Sequence, residues 1–290
     1  MANLKETKRR ISSVKSTQKI TRAMKLVSSA KFARANASLL GARPYSDALR
    51  KTVAKALQVS SIQSPLFQAD SEESKILLVV VSTDRGLCGP LNTNLFRHTE
   101  AFVREKQASS CKISFSWWGK KATLFGKKKK EEALDSLEKV IEKPSLAFAE
   151  EKAKNFENYL SSGKFDSVYI AYSSFRNAMS QPPCIKKVLP ITMADSTSSF
   201  KEGSSVVLLE PEKELLIPRL IHRLCASHVF RVLLEASASE HAARMAAMDS
   251  ATSNADEVIK GLTMEYNRAR QASITKELIE ITSGAEALHN

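Results

Sequence analysis

Cysteine is scarce: Cys88, Cys111, Cys184 and Cys225 lie far apart and never form a CxxC pair. That argues against a disulfide scaffold and against a structural zinc site, and it fits a reducing compartment. Long apolar runs are missing too. The longest candidates are short stretches such as Ile76 to Val81, far below the ~18 residues of a membrane-spanning helix, so the chain itself is not expected to cross a bilayer. The turn that reads Thr83-Asp84-Arg85-Gly86-Leu87-Cys88-Gly89-Pro90 has neither GxGxxG spacing nor the GxxxxGK[ST] pattern of a phosphate-cradling loop. The histidines at 98, 222, 228, 241 and 289 form no HExxH, and no GxSxG elbow occurs. No catalytic residue, cofactor site or metal ligand set is therefore expected. Cys88 stands beside Arg85, whose charge would favour a thiolate, but a lone cysteine with no histidine assigned to it is a weak nucleophile signal.

What is present is an ordinary globular composition, 43% hydrophobic and 26% charged over 290 residues, which rules against disorder throughout. The net charge of +13 is unevenly spread. Residues 1–55 hold fourteen lysines and arginines against two acids, Glu6 and Asp47, a net of +12, so only +1 is left for the other 235 residues. Such a block points to an acidic polypeptide, a nucleic acid or a membrane surface.

Glycine and proline, nine of each, divide the chain. Neither occurs before Gly41, and residues 219–290 hold no proline and only Gly261 and Gly284, so both ends are built for helix. Along the C-terminal segment His241, Met245, Met248, Thr252, Ala255, Ile259, Leu262, Tyr266 and Ala269 recur at spacings of 4 and 3. After a five-residue step the rhythm resumes at Ile274, Leu278, Ile281, Ala285 and Leu288. His241 reads here as a packed polar residue. Pro218 suits a first helical turn, where its missing amide hydrogen has no intrahelical partner anyway. A helix from there to the end would be about 100 Å long at ~1.5 Å per residue. A compact globule of this size would be only about 50 Å across. The helix must then project and needs another beside it. The N-terminal segment, with a weaker stripe of Leu4, Ile11, Val14, Ile20, Met24 and Val27, is the candidate, running antiparallel. The seam is soft, rich in Ala, Thr and Met, which either lets the helices approach closely or implies sheathing by further protein.

The centre alternates. Strands are expected at 75–82, 111–118, 165–173, 184–189 and 205–209, and helices at 92–105 and 144–160. This pattern predicts an α/β fold: a long antiparallel two-helix coiled coil of the terminal segments plus a central Rossmann-like domain with a mostly parallel sheet. The division is 1–60, 70–210 and 211–290. The lysine run 127–130 reads as a solvated loop or helix end.

Three motifs carry a resemblance. Ile11 to Val27, the turn Asp84-Arg85-Gly86-Leu87-Cys88-Gly89 followed by Asn92, and the C-terminal runs Ala243 to Met248 and Tyr266 to Ala285 together resemble the gamma subunit of F-type ATP synthases, in order, spacing and length. The resemblance implies a rotor shaft in the cavity of an alpha/beta hexamer. Its foot would stand on the c-ring beside epsilon, with one copy per complex, and ion flow would turn the shaft and drive ATP synthesis at the beta subunits. By position, Lys8, Lys15, Lys19, Arg22, Met24 and Lys25 would face acidic beta levers. Arg268, Arg270, Gln271 and Thr275 would form a polar catch with beta loops, and Ile279, Ile281, Ala285 and Leu288 would turn in an upper bearing. Leu209 and Glu210 would approach the c-ring.

Pro90 replaces a glycine usual in the family, and the cysteine-bearing chloroplast insertion is absent, so thiol regulation is not expected. The family signature starts within a few residues of Met1, leaving no room for a presequence. That favours the cytoplasmic face of a bacterial inner membrane, peripherally attached, over the mitochondrial matrix side. The alternative is a basic coiled coil that binds nucleic acid. It would want stacking aromatics, and the first 44 residues offer only Phe32.

Overall fold

The computed structural model describes residues 2–59, 66, 73–191 and 212–289. The chain opens with α1 (Ala2–Val59) and closes with α5 (Lys213–His289). Between them lie β1 (Lys75–Val81), α2 (Leu91–Ala108), β2 (Lys112–Trp118), α3 (Lys120–Lys129), β3 (Ala133–Leu137), α4 (Leu146–Ser161), β4 (Ser167–Ser173) and β5 (Pro183–Leu189). The terminal helices are uninterrupted over 58 and 77 residues, α5 alone measuring about 115 Å along its axis. Two compact units result: Met1–Ser28 with Met245–Asn290, and Ser29–Arg244.

In the larger unit the sheet order is β3-β2-β1-β4-β5. β1 pairs parallel with β2 and β4, β2 pairs parallel with β3, and only β5 runs antiparallel, on β4. The mostly parallel sheet of the sequence reading is present. β1 is central, and its run Ile76–Val81 is buried on both faces, which is why it is apolar without alternation. Leu77, Val79 and Val81 point to a core shared with Ala149, Ala153 and Phe156 of α4, Val53 of α1, and Ile217, Ile221, Val229 and Val232 of α5. Leu78 and Val80 point the other way, to Leu95 of α2, Ala122 of α3, and Phe115 and Trp117 of β2.

Two elements, α3 and β3, escaped the sequence reading. α3 is a ten-residue helix ending in lysines, with Lys130 in the left-handed region at φ 58°, so the lysine run is a helix end. β3 is a short edge strand, largely exposed, and carries no apolar pattern to announce it. The expected strand 205–209 lies outside the described residues. The C-terminal helix starts at Lys213, five residues before Pro218. Pro218 therefore sits beyond the first turn, contrary to expectation.

In the smaller unit α1 and α5 run antiparallel, joined by Gln18 Nε2 to Asp256 Oδ1 (3.4 Å), a hydroxyl pair Thr21–Thr252 (2.8 Å) and Lys25 Nζ to Asp249 Oδ1 (2.6 Å). The paired residue numbers sum to 273 or 274 each time, so α1 runs out opposite about residue 271. Met248 and Ala255 are buried, and Thr252, Ile259, Leu262 and Tyr266 half-buried; from Arg268 on, α5 is exposed at nearly every described position. The five-residue step in the seam falls where the partner helix ends. The inner face of α1 is only in part the stripe expected: Leu4, Ile11, Val14 and Met24 are half-buried, but Ile20 and Val27 are not. Leu4, Thr7, Ile11, Val14, Gln18, Thr21, Lys25 and Ser28 face inward at spacings of 3 and 4, whereas Ile20 and Val27 are 58% and 59% exposed. Of the polar inward groups, Gln18, Thr21 and Lys25 each find a partner across the seam.

Candidate functional site

The loop after β1 is the most elaborately bonded segment of the larger unit. α3 begins abruptly after Gly119, whose φ of 101° and close approach to the Ser82 backbone admit no side chain. The first amides of α3 have no intrahelical partners, and this loop supplies them. Asp84 Oδ1 accepts from Lys120 N (3.0 Å), Thr83 O from Lys121 N (3.1 Å) and Ser82 Oγ from Ala122 N (2.7 Å). Asp84 also accepts from Lys139 N (2.9 Å), tying down the chain that follows β3. Asn92, on α2, donates to Thr83 Oγ1 (2.8 Å) and to Cys88 Sγ (3.3 Å), and Thr83 Oγ1 donates to Arg85 O (2.7 Å). Leu87 and Gly89 take left-handed conformations at φ 63° and 58°, which turn the loop back on itself. Arg85 reaches outward to Glu142 at 3.6 Å.

The side chains of Ser82, Thr83 and Asp84 are thus spent on the neighbouring elements. Cys88 is buried against Leu91 and Ala243, and burial pushes its thiol pKa up, the hydrogen bond with Thr83 and the charge of Arg244 opposing this only in part. The thiol packs; it is not poised as a nucleophile. Among the described residues no group of three His, Cys, Asp or Glu could hold a metal ion. A cleft of about 550 Å³ between α1, β5 and α5 is lined by Arg50, Lys187 and Arg231. Two of its cations are already committed: Arg231 to Asp47 and Glu235, and Lys187 to Glu73.

The remaining site residues lie on the two long helices. Lys8, Lys15 and Arg22 recur every seventh residue and, with Lys19, form an exposed basic stripe beside the inner face of α1. Met24 is half-buried, and Lys25 is turned to Asp249 across the seam. Arg268, Arg270, Gln271 and Thr275 are exposed, as are Ile279 (59%), Ile281 (67%) and Ala285, all within a turn of the point where α1 ends or beyond it. The side chain of Leu288, and Leu209 and Glu210, lie outside the described residues.

Sequence reasoning missed the buried polar residues of α5. Glu235 (3% exposed) accepts from Tyr172, Ser174 and Arg231, and Glu240 and Arg244 (7% and 8%) pair at 2.5 Å. His241, expected on the seam, is half-buried; burial and the charges of Arg244 and Lys31 lower its pKa to about 4, so it is neutral at ordinary pH. The signal available was the i, i+4 spacing of acid and base inside an alanine-rich stretch.

What the fold and these positions define is a protein whose two ends make a helix pair while its middle makes a doubly wound sheet. Such a protein belongs to the class that pairs a long two-helix element with an α/β domain. A family model described as ATP synthase matches residues 3–288. The ATP synthase gamma chain of Geobacter metallireducens is 42% identical over 293 residues, covering 99% of both chains, and that of Bdellovibrio bacteriovorus 38% over 296 residues, also 99% of both. Among solved structures, a chain of the Euglena gracilis mitochondrial ATP synthase (OSCP/F1/c-ring) aligns with a TM-score of 0.68 at 20% identity, over 99% of this chain and 95% of that one. A chain of the Tetrahymena thermophila mitochondrial ATP synthase (central stalk/c-ring) aligns with a TM-score of 0.59 at 24% identity, over 80% and 99%. At such identities the structures speak for the fold. The chain belongs to the ATP synthase gamma chain family. Nothing in these matches supports the nucleic-acid reading.

Proposed function

We infer that the chain is the central-stalk rotor of an F-type ATP synthase. It couples ion-driven c-ring rotation to ATP synthesis, or hydrolysis, at the alpha/beta hexamer, and it is itself a non-catalytic subunit. Its partners are alpha, beta, epsilon and the c-ring, one copy per complex. Residues 1–60 and 211–290 serve as the shaft and 70–210 as the foot, with Leu209 and Glu210 toward the c-ring. No helix among the described residues is long and apolar enough to cross a membrane. Attachment is therefore assigned through the complex, at the cytoplasmic face of a bacterial inner membrane.

The observation that carries this reading is the register of the helix pair. Because α1 ends opposite about residue 271, the described side chains of α5 from Arg268 to Ala285, among them Arg270, Gln271, Thr275, Ile279 and Ile281, are exposed at nearly every position, and the bonds they make stay within their own helix. Exposed large apolar groups of this density mark a surface destined for other protein. The catch and the upper bearing are assigned to them, and the basic stripe Lys8, Lys15, Lys19 and Arg22, with Met24 beside it, to acidic beta levers, whereas the charge of Lys25, expected to join them, is taken up by Asp249 across the seam. Exposed ion pairs contribute only about 0–1 kcal/mol each, so such contacts steer a turning shaft without locking it at one angle.

The test is Met24→Lys in the reconstituted enzyme. A new cation beside the levers should lower ions pumped per ATP hydrolysed more than it lowers assembly with alpha and beta. An unchanged ratio would count against the lever assignment, and failure of the parent chain to assemble with alpha and beta would remove the rotor reading itself.

A further inference from the structure

Two of the sequence motifs, the DRGLCG loop and the alanine-rich run around Arg244, meet in the larger unit, and the rotor reading alone assigns them no task. Glu240 and Arg244 are one helical turn apart on α5, both more than nine-tenths buried, and their side chains bond at 2.5 Å. The guanidinium has further donors, and these reach Gly86 O from Nε (3.3 Å) and Arg85 O from Nη2 (3.5 Å). Those carbonyls belong to the loop that also caps α3, through Asp84, and holds α2, through Thr83 and Asn92. The methyl of Ala243 fills the neighbouring space against Cys88 and Leu91. A single turn of α5 is therefore bonded, by way of one loop, to two helices and the central strand of the sheet.

We infer that the Glu240–Arg244 pair is a torque clasp, a positioning device that prevents α5 from rotating about its own axis against the α/β sheet. This rests on the rotor reading. The physical need is specific. Much of the α5 interface in this unit is apolar and non-directional. Its other directional contacts, Glu235 with Tyr172 and Ser174, Arg231 with Asp47, and His222 and Arg223 with Glu157 and Glu150, all lie nearer the start of α5, which leaves the Glu240–Arg244 pair as the last of them along the helix in this unit. A guanidinium held in a fork between a carboxylate and two carbonyls has a fixed direction and resists rolling. A buried ion pair contributes little net stability compared with a packed apolar pair. Its presence at this position is thus better explained by geometry than by stability. Arg244 is also the last residue of the larger unit, and α5 continues from it as unbroken helix to His289. The clasp grips the shaft helix where it leaves the sheet. Glu240 supplies orientation: without it the guanidinium has no anchor, and without Arg244 a buried carboxylate is left unpaired.

The experiment uses the whole enzyme in sealed vesicles and compares ATP-driven ion pumping with ATP hydrolysis. The single change Arg244→Ala strands Glu240 and can cost folding, so the main variant is the double substitution Glu240→Gln with Arg244→Met, which removes both charges and keeps the volume. It should assemble, melt close to the parent and hydrolyse ATP, but pump about threefold fewer ions or less per ATP, the scale of losing a directional charged contact. Arg244→Lys, with one donor group in place of a fork, should fall between. Leu95→Ala, a core cavity on the opposite face of the sheet, should lower the melting temperature and leave the pumping ratio intact. The clasp is refuted if the double variant, or Arg244→Lys where the double variant does not assemble, pumps with the parent's ratio, or if Leu95→Ala uncouples to the same degree. Failure of the parent chain to assemble would instead refute the rotor reading.

Discussion

Replacing Asp84 by alanine removes one oxygen that serves two segments at once. Its Oδ1 accepts amide hydrogens from Lys120 at 3.0 Å and from Lys139 at 2.9 Å, and Lys120 is the first residue of α3. There the helix dipole favours a negative charge and the amides lack partners within the helix. Hydrogen bonds to a charged acceptor contribute about 1.5–3 kcal/mol each. Asp84 is only half-buried, so water would replace part of what is lost, and a total of about 2–3 kcal/mol is expected. For a unit the size of Ser29–Arg244, each kcal/mol moves the unfolding midpoint by roughly 2–4 °C. Asp84→Ala should then melt roughly 4–12 °C lower by calorimetry, with faster amide exchange at Lys120 and Lys139. Asp84→Asn keeps the oxygen and loses the charge, and should cost less than half as much. A melting curve for Asp84→Ala that overlays the parent's would refute the account of the loop as a structural clamp, as would an asparagine variant as unstable as the alanine one.

Three further outcomes are expected. Burial alone would raise the pKa of Glu73, but hydrogen bonds from Lys106, Lys187 and Tyr169 outweigh it and hold the carboxyl at about 2, against an ordinary 4.5. A depressed acid contributes stability that is complete above its unfolded pKa and vanishes as pH falls through the folded one, so the stability gap between parent and Glu73→Gln should close between pH 4.5 and about 2; a gap independent of pH there would contradict the hydrogen-bonded carboxylate. Cys88 and Cys225 are 2% exposed and burial raises both thiols, so a thiol reagent at mild alkaline pH should label them only on unfolding; rapid labelling of the native chain would place Cys88 outside the packed loop. Deleting residues 280–290 should leave the melting of the isolated chain unchanged, because the described side chains there are exposed, and should impair rotation mildly. If the deletion abolished assembly, the bearing assignment would be wrong.

Much of the architecture is legible in the sequence. The absence of glycine and proline at both ends, with apolar residues at spacings of 4 and 3, announced α1 and α5 because an unbroken helix needs only local hydrogen bonds and no breaker. Strands β1, β2, β4 and β5 were visible as β-branched or alternating runs. α3 and β3 were not: one is short and lysine-rich, the other reads Ala-Leu-Asp-Ser-Leu, and both exist because neighbours hold them, α3 by the loop at its N-terminus and β3 by pairing with β2.

The shaft residues were placed on helices correctly, but their orientation was not readable. An apolar count favours Ile20 and Val27 as the inward face of α1, yet the chain turns Gln18, Thr21 and Lys25 inward because Asp256, Thr252 and Asp249 stand opposite in register. The same holds for Glu240 and Arg244: the sequence shows an acid and a base four residues apart, and nothing in it says that two loop carbonyls 158 and 159 residues away will complete their bonding. Sequence alone determined the two long helices, most of the other elements and where the positive charge lies, since those depend on near neighbours along the chain. The tertiary structure decided which faces are buried and which polar groups are partnered, since a side chain's surroundings are set by whatever the register of distant elements brings beside it.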